Sequence, residues 1–353
     1  DDWDTTPSGV KQLSTAQLPT PTIAKPSAHF NALTYASSGA KTGVGFQPDL
    51  VWVKARGNAY DHELTDSVRG VTKALSSNDT GVESTDSTGL TAFGTDGFTV
   101  GAGTNYSTSS MVAWSWKESA TAGGDIVTWT GNDSTGSSAP QAVSHGLTVA
   151  PELIIAKKRT ANGMGNGSWV VWTKDLSSGT YLIMNTTAGE ASWSDALVSS
   201  IGSSSVSFGS DLSGNSESLN DNTGFGGADT YVGYLFATVA GHSKVGLYDG
   251  NSSDNFVSLD FAPAWILIKS TGNPSSSGHW VIKDNKRSAA HNPADGNLYA
   301  NDTYAEDTTA SVDIDLLSNG FNIKGTYAGI NATGSSYIFL AMAEKSLKYA
   351  NAR

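Results

Sequence analysis

The chain has 353 residues, with 33 acidic and 21 basic side chains, a net charge of −12 and an isoelectric point near 4.8. No basic run is longer than Lys157-Lys158-Arg159, which argues against a nucleic-acid surface built on positive charge. Cysteine is absent, so disulfides, thiolate metal sites and thiol nucleophiles are excluded, and no apolar run reaches the roughly 18 residues a membrane helix needs.

Residues 1–27 carry Pro7, Pro19, Pro21 and Pro26 among Ser and Thr, the composition of an extended arm without a core of its own. The first residue is not Met and no basic, apolar leader follows it, so the chain is expected to be processed or part of a longer polypeptide. Beyond the arm, 39 Gly with abundant Ser, Thr, Asn and Asp point to short strands joined by many turns. Sustained 3.6-residue apolar periodicity is missing; Glu190 to Leu197 offers a helical turn or two at most.

One pattern then recurs three times. Phe46-Gln-Pro48-Asp-Leu-Val-Trp-Val-Lys54, Val149-Ala-Pro151-Glu-Leu-Ile-Ile-Ala-Lys157 and Phe261-Ala-Pro263-Ala-Trp-Ile-Leu-Ile-Lys269 each run from an apolar residue through Pro to a closing Lys. The prolines lie 103 and 112 residues apart, the size of a small β domain. The apolar run after each Pro is continuous, as in a strand buried on both faces.

Other blocks follow in the same order. A second strand starts at His62, Trp169 and His279, with His62 and His279 read as equivalent and Ser168 in their place in copy two. A short element ends at Asn78, Asn185 and Asn301. Gly97-Phe98 and Gly320-Phe321 mark hairpins, for which Val206-Ser-Phe208-Gly209 is the nearest substitute in copy two. Aromatic-rich strands ending near Trp116, Phe236 and Met342 close the copies. The expected fold is all-β, with three tandem β-sandwich (jelly-roll-like) domains from an internal triplication. They span residues 28–119, 124–241 and 242–345, between the arm and a tail at 346–353.

Few residues point to chemistry. The six His form no metal or catalytic pattern, and no nucleophile elbow, phosphate loop or dinucleotide fingerprint occurs. Asp211, Asp221 and Asp229 sit in a Gly/Asn-rich part of copy two without a counterpart, the only acidic group offered for hydrolysis. Asp249, Asn251 and Asp254 are closely spaced oxygen ligands that suit Ca²⁺, although the segment also reads as a hairpin turn. Aromatics outside the core blocks are candidate receptor or glycan contacts: Trp193 foremost, with Tyr60, Tyr106, Tyr304 and Tyr327. No other cofactor is implied.

The run Gly45-Phe-Gln-Pro48-Asp-Leu-Val-Trp-Val-Lys54, with Asp66-Ser-Val-Arg69-Gly70, Leu75-Ser-Ser-Asn78, Asp96-Gly-Phe98 and Val112-Ala-Trp114-Ser-Trp116-Lys117, resembles tail-fibre-like virion proteins of phages of marine bacteria and cyanobacteria. Leu13-Ser-Thr-Ala-Gln-Leu18-Pro19 resembles the segment that joins a SPRY-like domain to this module in such proteins. The resemblance implies a structural or adhesive virion role and supplies no catalytic residue. The expected function is therefore non-enzymatic: a tail fibre or spike on the virion exterior used in host attachment, or else a capsid decoration protein. Expected partners are other virion proteins and a host-surface glycan or protein, with homotrimerisation and neither nucleic acid nor membrane insertion. A polysaccharide depolymerase and a cellular adhesin or filament subunit are the readings from other classes.

Overall fold

The computed structural model describes residues 20–132, 140–160, 167–192, 197–209, 217–221, 228–272, 278–288 and 292–346. Apart from single helical turns at Pro26–Ala28, Ala310–Val312 and Ala328–Asn331, its regular elements are antiparallel strands, so the chain is all-β.

The same strand order appears three times. In the first large sheet Phe30–Tyr35, Met111–Trp116, Leu50–Ala55 and Glu63–Asp66 lie side by side. In the second the order is Gly124–Thr130, Thr230–Phe236, Leu153–Lys158, Trp169–Thr173, Thr180–Ile183 and Ala191–Ser192. In the third it is Ser243–Asp249, Ser336–Ser346, Phe261–Ser270, Val281–Asp284 and Leu298–Tyr299. A three-stranded sheet accompanies each, centred on Gly97–Val100, Ser205–Phe208 and Gly320–Ile323. We call each pair of sheets a unit.

Both faces of every large sheet are covered, and the Pro-led strands show how. Val51 and Val53 pack with Phe98 and Val100 of the first small sheet, whereas Leu50 and Trp52 turn the other way. Ile154 and Ala156 face Val206 and Phe208, and Leu153 and Ile155 turn away from them. Ile266 and Ile268 face Phe321 and Ile323, and Trp265 and Leu267 turn away. The side chains that turn away meet in one core shared by all three units, where Trp52, Trp114, Trp116, Trp169, Tyr234, Trp265 and Trp280 are buried together. Strand alternation with both faces apolar gives the continuous run seen in the sequence. The units are therefore joined through a common core, where tandem sandwiches would each keep to their own.

Polar contacts join the units in a closed cycle. Lys54 Nζ donates to the Thr303 carbonyl (3.1 Å), Lys157 Nζ to that of Thr80 (3.0 Å) and Lys269 Nζ to that of Thr187 (3.2 Å). Unit one thus reaches unit three, unit two reaches unit one and unit three reaches unit two. Trp169 Nε1 donates to the Ser76 carbonyl (2.7 Å) and Trp280 Nε1 to that of Ile183 (3.0 Å) in the same sense. Backbone N–H groups of Glu83, Glu190 and Glu306 donate to the carbonyls of Arg159, Thr271 and Arg56, at 2.9, 2.8 and 2.7 Å. Head-to-tail contacts that return to their starting point make a ring.

The repeated Asn is a strand cap. Oδ1 of Asn78, Asn185 and Asn301 accepts the backbone N–H of His62, Trp169 and Trp280, at 2.9, 2.8 and 2.8 Å. This register corrects the sequence alignment: His62 corresponds to Trp169 and Trp280, and His279 falls at the place of Asp61. In the same way Val206, not Phe208, corresponds to Phe98 and Phe321, since all three lie opposite equivalent residues of the neighbouring strand. Gly97 (φ 149°) and Gly320 (φ 159°) start their strands where a Cβ would strike the Lys41 or Val257 carbonyl oxygen at 1.9 or 2.2 Å. Copy two escapes that demand with a different turn, closed by Gly202 N–H to the Ser205 carbonyl (2.9 Å), and has Ser205 there.

Two of the three junctions carry a buried ion network. At units three and one, Asp284 accepts from Arg287 Nε (2.6 Å) and Trp114 Nε1 (2.9 Å), Arg287 Nη1 reaches Glu306 (2.8 Å), and Arg56 also binds Glu306 (2.6 Å). At units one and two, Asp66 accepts from Arg69 Nε (2.5 Å) and Tyr234 OH (2.8 Å), and Glu83 bridges Arg69 (3.2 Å) to Arg159 (2.9 Å). At units two and three the corresponding residues are Thr173, Leu176, Thr271 and Leu340, and Glu190 turns back to Thr180 Oγ1 (2.6 Å).

Removing one partner of such a network strands the others, so Asp284→Ala should lower stability by about 3–5 kcal/mol in urea unfolding followed by Trp fluorescence. Burial pushes Lys54 and Lys269 down to about 8 and Lys157 to about 7. Between about pH 8 and 10 the unfolded chain, with lysines near 10.5, binds more protons than the folded one, so stability rises with pH in that window. The urea midpoint should climb from pH 8 to pH 10, and climb less in Lys157→Met.

Candidate functional site

The residues singled out from the sequence do not form one cluster. Tyr106 is 2% exposed, with its ring against Gly89 and the first unit's core, so it is a packing residue and no surface contact. Tyr60 and Tyr327 are half-buried against the first and third cores. Trp193 lies outside the described residues. Tyr304 alone of the described candidates is largely open, at 55%.

The proposed calcium ligands are each engaged elsewhere. Asp249 Oδ1 accepts from Ser336 Oγ (2.7 Å), and Asn251 Oδ1 accepts from the Ser253 N–H (2.8 Å) and hydroxyl (3.1 Å). Asp254 pairs with Lys324 at 2.6 Å. These contacts brace the turn between Ser243–Asp249 and Asn255–Ser258 internally and against Ser336 and Lys324. Among the described residues no three His, Asp or Glu side chains gather as metal ligands.

The acidic group of copy two is also structural where it is described. Lys158 Nζ lies 3.2 Å from Asp221 and 3.0 Å from Asp229, all three buried. Ser218 Oγ donates to Asp221 (2.6 Å) and Thr160 Oγ1 to Asp229 (2.9 Å). Two buried carboxylates held on one buried lysine head are poorly placed to act as acid and base on a substrate. Asp211 lies outside the described residues.

A titratable group that the sequence did not reveal sits at one end of the shared core. His29, Glu118, Asp125 and His242 line a cavity of about 20 Å³ together with Leu50, Trp116 and Met342. That volume suits one water molecule. His29 and His242 hold equivalent places before their first strands, as their carbonyls accept from Lys117 N–H (2.8 Å) and Ala343 N–H (2.7 Å). Burial lowers both imidazoles, His242 to about 3 with help from His29, so both are neutral at pH 7. Burial and a hydrogen bond shared with Asp125 push Glu118 up to about 8, although its outer side meets solvent. Asp125 also accepts the Gly146 N–H (2.5 Å). The group can exchange a proton with one water, but it has no room for a substrate.

The open aromatic lies elsewhere. Tyr304 stands 6.2 Å from the His279 ring and 6.5 Å from that of Tyr299, and His279 and Tyr299 are 4.7 Å apart. Asn301 Nδ2 and His279 Nδ1 are 3.0 Å apart. Asn301 already accepts through Oδ1, so its amide donates here and the imidazole N–H is at Nε2. The result is an aromatic shelf with a polar edge, beside the junction of units three and one. The ladder position of His279, one residue before Trp280, was the signal that placed it there.

Because Glu118 holds its proton more tightly in the fold, stability should fall as pH rises from about 4.5 to about 8. Glu118→Gln should flatten that fall in thermal melts at stepped pH while matching the parent near pH 5. No curated protein matches the chain at a significant level. A family model matches residues 25–346, nearly all of the described structure, and the chain belongs to that family, described as Domain of unknown function (DUF7483).

Proposed function

We propose that the chain is a non-catalytic structural protein on the exterior of a phage virion, used as a tail fibre or spike in attachment to the host surface. The observation that carries this reading is where the ionisable side chains go. Asp66, Arg69, Glu83, Arg159, Asp284, Arg287, Glu306 and Arg56 lock the units together, and Lys158 ties down Asp221 and Asp229. The cavity lined by His29, Glu118, Asp125 and His242 is water-sized. An exposed aromatic with polar neighbours, here Tyr304 and His279, suits stacking on a sugar ring. The resemblance of the repeated motifs to tail-fibre-like virion proteins supports the same reading.

A specific observation favours capsid decoration as a second reading. The three units close a ring within one chain, so the lysine, tryptophan and backbone contacts that subunits of a trimer would make are already intramolecular. A single copy then matches a three-fold position on a shell.

Antibodies raised against the purified chain, applied to intact particles with gold labelling, test both. Labelling of the tail supports the attachment fibre, and labelling of the capsid supports decoration. Labelled cell surfaces with bare particles would overturn the virion reading. In native mass spectrometry the decoration reading expects a monomer and the fibre reading a trimer.

A further inference from the structure

The three units differ at one place where each strand begins, just after its Pro. Asp49, Glu152 and Ala264 hold that position. Asp49 accepts from Ser67 Oγ (2.9 Å) and from the Glu118 N–H (2.9 Å). Glu152 accepts from Thr238 Oγ1 (2.6 Å) and pairs with Lys174 (3.6 Å). Asn285 stands where Ser67 and Lys174 stand, since the backbone N–H of all three donates to the residue after the Pro. Ala264 brings no carboxylate to meet it. Asn285 is 5% exposed and its amide oxygen has no hydrogen-bond partner.

Beside Ala264 and Asn285 lies a groove of about 490 Å³, in the range of small-molecule sites. Lys25, Lys286 and Lys345 line it, together with Asn31. All three lysines are exposed. Glu344 is the sole carboxylate among the lining residues and already has an interaction of its own. On a chain of net charge −12, three lysines around an unsatisfied acceptor are a local reversal of charge. A buried acceptor without a partner is costly, and a donated hydroxyl would recover that cost.

We propose that this groove binds an acidic sugar unit, whose carboxylate meets the lysines and whose hydroxyl donates to Asn285. The inference rests on the attachment reading in one respect, that the sugar belongs to a surface polysaccharide.

Calorimetric titration of the full chain with a tetramer of galacturonic acid tests it, with cellotetraose and inorganic phosphate as comparisons. The uronate tetramer should bind, more weakly as salt is raised, and neither comparison should match it. The exposed-site variant Lys286→Ala/Lys345→Ala should lose about tenfold or more in affinity while keeping the parent melting temperature. Asn285→Ala should lose about five- to tenfold. Tyr304→Ala should bind as the parent does, which separates the groove from the aromatic shelf. Equal binding of cellotetraose or phosphate, or undiminished binding by the double lysine variant, would overturn the proposal. Failure to bind the uronate, with particles still labelled by antibody, defeats the groove and leaves the attachment reading. Uronate binding with bare particles does the reverse.

Discussion

A β-sheet with two apolar faces cannot be stable in water unless both are covered, and in this chain each large sheet has two. One face is covered locally, by a small sheet made from the same stretch of sequence. The other is covered only when the second and third units arrive, because Trp52, Ile155 and Trp265 have their inward partners in one common cluster. Burying a large apolar side chain contributes about 1.5–3 kcal/mol, and the shared core holds several tryptophans together with the aliphatic side chains between them. No unit can keep that contribution alone. The chain has no disulfide to replace it.

Apolar packing draws three sheets together without fixing how they are turned, and the polar contacts supply the direction. A lysine head in the interior is costly unless its protons are accepted. Lys54 and Lys157 each find a carbonyl within their own unit, Ala55 and Gly167, and another on the neighbouring unit, while the Lys269 contact crosses to its neighbour. A slip of one residue would remove the second acceptor. The ion networks at two junctions add the same kind of selectivity. Leu176, Thr271 and Leu340 at the third junction show that apolar or neutral residues can fill the space. That agrees with the small net worth of buried ion pairs when set against well-packed hydrophobes. We read the networks as devices that set which unit meets which, with the core supplying most of the stability.

Much of this was legible in the sequence and some of it was not. The Pro-led strands could be read because burial on both faces leaves an unbroken apolar run, and the closing strands because they are dense in aromatics. The shared core could not, since a run buried between two local sheets looks the same as one buried between neighbouring units. Repetition gave the positions of Lys54, Lys157 and Lys269 and of Asn78, Asn185 and Asn301, but not their roles: the lysines depend on carbonyls 249, 77 and 82 residues away and the Asn side chains on the backbone N–H of the strand before them. The one-residue error at His62 arose from matching His to His; the ladder is set by backbone pairing, and the cap by Asn78 shows it directly. Tyr106 was misjudged because a lone aromatic in a Gly/Ser/Thr segment carries no mark of what folds over it.

Where three copies share an architecture, function is best sought where they depart from it. Most departures are compensated on the spot. Lys158 arrives in copy two with Asp221 and Asp229 to hold it. Loss of the Asp and Arg of one junction is met by Leu176 against the core. Two departures in unit three are not compensated. Ala264 leaves an amide oxygen without a partner, and Tyr304 leaves an aromatic ring in solvent. The first lies buried beside the lysine-lined groove and the second stands open to solvent; both adjoin the junction with unit one, and neither improves the packing around it. A feature that costs stability and gives none back to its own surroundings is the kind a binding partner would complete. On that ground the groove and the aromatic shelf of unit three, on the side of the ring it shares with unit one, are where we propose a ligand is met, while the contacts of unit two and the remaining junctions hold the ring closed.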